Sequence, residues 1–124
     1  MKTTVLVLLC FIIVSLSGCS HTDASAKAVS IAKKAIEVTD SYLDREISSD
    51  SASRTLSDLI DEMEYTSTTD PTDEHHSADY SIETDLVILH SSIVKDSIDK
   101  SAESYDSVIE SRNELAESAG LPKK

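Results

Sequence analysis

The sequence predicts an all-α protein: a small bundle of about four amphipathic helices behind an N-terminal segment that is cleaved off. Three observations predict it. Gly120 is the only glycine after residue 19, and Pro71 and Pro122 are the only prolines, whereas strand-rich domains need many turns and turn residues. Apolar residues recur at three- and four-residue spacing in four separate stretches. Short polar breaks separate those stretches, as in helices folded back on one another.

The first stretch, 24–46, carries Ala28, Ile31, Ala35, Val38 and Tyr42 on one face, with Ala32, Leu43 and Ile47 widening it. Lys27, Lys33 and Lys34 fall on the other side. Ser48 suits the N-cap of the second helix, about 49–65. Ile47 before it is placed to staple onto Ala52, while Ser51 stands where a Glu would complete a capping box. Ala52, Leu56, Leu59, Ile60 and Met63 share a face, and the connection is short enough for an antiparallel hairpin.

Thr66 to Thr69 form a polar break. Asp70 can cap a third helix whose first residue is Pro71, with Asp73 and Glu74 at the positive end of its dipole. It runs to about Ser97 along a seam of Ala78, Ile82, Leu86, Leu89 and Ile93. After a break at Asp99 to Ser101, Ala102, Tyr105, Val108, Ile109, Leu115, Ala116 and Ala119 mark a fourth helix. Gly120 fits its left-handed terminator, Leu121 the contact beyond it, and Pro122 the stop. Ile36, Val87, Ile88 and Val94 lie off the main stripes, completing the core or forming an exposed patch.

The N-terminus has a different character. Lys2 gives a short positive start, Val5 to Val14 is an uncharged apolar run, and Ser15 to Gly18 are mostly small. These are the three parts of a secretory signal peptide, and the run is too short for a stable span, which needs about 20 apolar residues. Leu16, Ser17, Gly18 and Cys19 resemble the lipobox of bacterial lipoproteins at all four positions. The resemblance covers residues 1–19 and implies an acylated Cys19 (diacylglyceryl and palmitate class) as the mature N-terminus, after removal of 1–18. It implies an extracytoplasmic location on the cell membrane, or on the outer membrane if the host has two, because Ser20 rather than Asp follows the cysteine. Each buried CH₂ contributes roughly 0.8 kcal/mol, so two or three acyl chains anchor stably. Residues 19–23 are then lipidated Cys and tether, 24–121 the helical domain and 122–124 a tail.

Composition sets limits. Cys10 leaves with the leader and Cys19 is spent on lipid, so no disulfide is available. Phe11 leaves too, so the bulky core candidates are four Tyr and a modest set of Ile, Leu and Val. The chain carries 23 acidic residues against 11 Lys and Arg, a net charge of −12. Such a surface repels phosphate backbones and excludes nucleic acid as a partner.

Candidate chemistry is sparse. There is no Gly-x-Ser-x-Gly elbow, and a phosphate-cradling loop cannot be built from one glycine. No catalytic residue and no cofactor are expected, so the reading is a non-enzymatic, membrane-anchored module with an envelope protein as partner. An alternative is a divalent-metal binder using Asp73, His75, His76 and Asp79 in the acidic segment 70–79. His75 and Asp79 are four apart and share a helix face. His90, beside Leu89, is expected to be partly buried and hydrogen-bonded.

Overall fold

A computed structural model describes residues 23–64 and 72–124. The lipobox-like segment with Cys19, the break at Thr66 to Thr69, and the expected cap and first residue Asp70 and Pro71 lie outside the described residues. The chain forms α1 (Ala26–Leu43), α2 (Ser49–Glu64), α3 (His76–Asp99) and α4 (Ala102–Ser118), with no strand among the described residues. It is the expected all-α bundle. α1 touches the other three helices, while α2 and α4 lie on opposite sides and do not meet.

Local chemistry sets the helix ends. Ser25 caps α1, its Oγ accepting the Ala28 N–H at 3.2 Å. α1 stops before residue 46 because Arg45 turns left-handed at φ 61°, and the Arg45 and Glu46 N–H groups close on the Tyr42 and Ser41 carbonyls. Ser48 caps α2 as expected, accepting from the Ser51 N–H. α3 begins at His76, later than its sequence signals suggest, with Asp73 accepting the His75 N–H at 2.8 Å. Lys100, at φ 49°, ends it. A capping box then starts α4, with Ser104 in the place a Glu usually takes opposite Ser101. Gly120 is left-handed at φ 66°, and its N–H and that of Leu121 close on Glu117 and Ala116. This is the expected glycine terminator.

The core is aliphatic. Ile31, Leu56, Met63, Ile82, Leu86, Leu89, Ile93, Val108 and Leu115 are sealed from solvent, each contributing about 1.5–3 kcal/mol by leaving water. Ala28, Ala32 and Ala35 make one side of α1 small enough for its neighbours to approach closely.

Of the bulky core candidates, Ile, Leu and Val fill the core, and no described Tyr is fully buried. Tyr80 is 64% exposed and Tyr105 39%. Tyr42 is half-buried, with its hydroxyl on Asp96. A Tyr in the core must bring a partner for its hydroxyl, and the bundle seats these three at its margins instead. α4 buries Val108, Leu115, Ala116 and Ala119 of its expected stripe but departs from it in its first turn and in three polar residues. Ala102 is exposed, while Ser104, Ser111 and Arg112 are buried because each finds a polar partner. Ile36 joins the core, whereas Val87, Ile88 and Val94 remain exposed.

Candidate functional site

Three places could carry function: the acidic start of α3, a cleft at one end of the bundle, and the outward face of α3.

Among the described residues, the start of α3 does not assemble a metal site. Asp79 is buried, and its two carboxylate oxygens accept the Ser25 N–H at 2.8 Å and the Ser25 hydroxyl at 2.7 Å. It is spent on fixing the first turn of α1. His75 donates from Nδ1 to the Asp23 carbonyl at 2.6 Å, and its Nε2 faces Glu74 at 3.3 Å. The Asp23 carbonyl, followed by the charges of Glu74, Asp73 and Asp79, holds the His75 pKa above the ordinary histidine range. Asp73 points its oxygen at the backbone of His75, and His76 sits half-buried at the first residue of α3. The expected set of Asp73, His75, His76 and Asp79 therefore does not converge. Among the described residues no three His, Cys, Asp or Glu side chains are placed to hold one metal ion. The spacing brought His75 and Asp79 near one another, but hydrogen bonds to the α1 segment took both.

His90 is half-buried, with Nε2 3.0 Å from the Ser53 hydroxyl, in the role expected of it.

The cleft lies where the α1–α2 and α3–α4 connections meet, with a volume of about 630 Å³. Tyr42, Arg45, Asp96, Lys100 and Tyr105 are on its walls. Asp96 organises this end, accepting the Tyr42 hydroxyl at 2.6 Å and the Ser104 hydroxyl at 2.7 Å. Burial first, then the hydrogen bond to Asp96 and its charge, push the Tyr42 pKa up to about 12. Every carboxylate oxygen of Asp96 is thus engaged within the fold, and Tyr42 stays neutral far above neutral pH.

The outward face of α3 is a third feature; the sequence placed its Val87, Ile88 and Val94 off the stripes without deciding their exposure, and did not single out Tyr80 and Ile98. Tyr80, Val87, Ile88, Val94 and Ile98 are all left to solvent. Among the described residues no helix is long and apolar enough to cross a membrane. Compared with known families, curated proteins and solved structures, the chain matches none.

Proposed function

We propose that this chain is a lipid-anchored, extracytoplasmic interaction module that performs no catalysis and offers one helix face to a protein partner in the envelope. The observation that carries the reading is the run of five large apolar side chains on α3 that face water. Single exposed apolar residues are ordinary, but five on one helix are a mark of a docking surface. The anchor rests on the Leu16 to Cys19 motif behind a charged start and a short apolar run.

Two measurements test the reading. Cells fed an alkyne-tagged fatty acid should label the protein, and Cys19→Ala should abolish the label and leave an unprocessed precursor. A mature N-terminus elsewhere, or an unacylated mass, would remove the anchor. A photoreactive residue at position 88 should crosslink to one discrete partner in intact cells, whereas one at exposed Lys33 should not. Equal, diffuse labelling from both positions would remove the module.

A further inference from the structure

α3 is apolar on two opposite sides. Ile82, Leu86, Leu89 and Ile93 are sealed in the core. On the other side Tyr80, Val87, Val94 and Ile98 recur at seven, seven and four residues, which keeps them in one narrow arc. They are 64%, 46%, 37% and 75% exposed. The stripe runs about 27 Å along the helix at 1.5 Å per residue.

Two polar residues interrupt the stripe in sequence but not in character. Thr84 gives its hydroxyl proton to the Tyr80 carbonyl and Ser91 gives its own to the Val87 carbonyl, both at 2.9 Å. Their donors are already spent on the helix, so they add little hydrogen-bonding demand. Since the core face is complete without the stripe, folding alone gives no reason for it.

Charge decides what covers it. α4 flanks α3 on one side, joined by the Ser92–Ser111 and Ser118–Asp85 hydrogen bonds. The α4 residues just outside that seam include exposed Glu110 and Glu114. α2 flanks it on the other, joined by Ser53 and His90, and exposed Glu64, eleven residues on from Ser53, lies on the same face of α2. The apolar stripe thus lies between Glu110 and Glu114 on one side and Glu64 on the other, with exposed Lys95 of α3 the cation beside it. A second copy would set like charges against each other, and an anionic lipid surface would be repelled. A helix with an apolar seam and Lys or Arg beside it meets both the stripe and these carboxylates.

We infer that the outward face of α3 is a docking surface for a cationic amphipathic helix of another protein, about five turns long. This rests on the interaction-module reading and names the chemistry of its partner.

The test uses the full chain in nonionic-detergent micelles and a fluorescent helical peptide of about 18 residues, with Leu along one face and Lys on the rest. Binding is read by anisotropy, with empty micelles subtracted. Val87→Asp and Ile98→Asp should each raise Kd about tenfold with unchanged circular dichroism, although each adds a negative charge that by itself attracts the peptide. A matched peptide with Glu in place of Lys should not bind. Equal affinity for the variants would place the peptide elsewhere on the acidic surface and overturn the inference. Equal binding of the Glu peptide would remove the charge argument, and a wild-type dimer dissociated by Val87→Asp would assign the face to a second copy. If a photoreactive residue at position 88 captures a discrete partner in cells while the Lys peptide does not bind, the interaction module stands and the cationic helix falls.

Discussion

Arg112 grips Asp40 with both prongs of its guanidinium, Nε to Oδ1 and Nη2 to Oδ2, each at 3.0 Å, across 72 positions of sequence. Its third nitrogen reaches the Pro122 carbonyl at 2.9 Å, so one buried side chain ties α1, α4 and the tail together. Removing one partner of such a pair leaves a buried charge without compensation. Asp40→Asn should cost about 3 kcal/mol, the low end for a buried pair, because the Asp40 side chain keeps 32% of its exposure. Urea unfolding checks this, and a loss below about 1 kcal/mol would class the pair with ordinary surface ion pairs.

Asp79 closes the opposite end of α1. Asp79→Ala strips both acceptors from Ser25 and leaves its N–H and hydroxyl to find water. The expected loss is about 2–3 kcal/mol, in the range for hydrogen bonds to a charged group. Amide exchange should quicken first in the opening turn of α1. Exchange that quickens evenly through all four helices would show that the clamp is not local.

Tyr42 supplies an alkaline limit. Its pKa is raised in the fold to about 12, so its contribution is complete below pH 10 and is lost as the pH climbs toward 12. Absorbance titration should find one tyrosine ionising near pH 12, and Tyr42→Phe should remove that step. Tyr42→Phe should cost about 1 kcal/mol at neutral pH and blunt the alkaline loss. An unchanged alkaline midpoint in that variant would shift the cause to another group.

His75 works in a lower window with the same sign. Because folding raises its pKa, its contribution is complete below the ordinary histidine value and disappears as the pH rises through the raised one. The ring is well exposed, so the effect is small. NMR titration of the imidazole should give a higher midpoint in the folded protein than in urea, and equal midpoints would dissolve the link to the Asp23 carbonyl.

Ile36 and Ile88 make a matched contrast. Both lie off the main stripes in sequence, but Ile36 is 7% exposed and Ile88 is 43% exposed. Ile36→Asp should lower stability by several kcal/mol by burying a charge, about enough to unfold a marginal domain. Ile88→Asp should leave melting nearly unchanged. A sharp destabilisation from Ile88→Asp would return that residue to the core.

These residues also show what can be read from a sequence of this kind. Ile82, Leu86, Leu89 and Ile93 announce themselves by spacing alone, because a helix must bury one stripe. Gly120 and Ser48 are equally legible, since cap geometry is local. Arg112, Asp96 and Asp79 are not. Each looks like one more charge on a solvated face until its partner is known, and those partners lie 72, 54 and 54 positions away. The same distance effect separates two of the expected metal ligands, as Asp79 and His75 hydrogen-bond Ser25 and Asp23, which no spacing rule connects to them. The two-sided character of α3 was visible as surplus apolar residues, but which of them face water depends on where α2 and α4 settle.

The Ser25–Asp79 clamp has a geometric consequence if Cys19 carries lipid. Ser20 to Asp23 reach at most on the order of 15 Å, so the end of the bundle bearing the clamp is held down at the bilayer. α1 and α3 both start there and both finish at the cleft of Tyr42 and Asp96. The domain then has a foot and a crown: Tyr80 stands near the foot, Ile98 near the crown, and the cleft opens away from the lipid. A partner helix lying along this row would rise from the membrane like a post beside a post, and its own anchor could sit in the same leaflet.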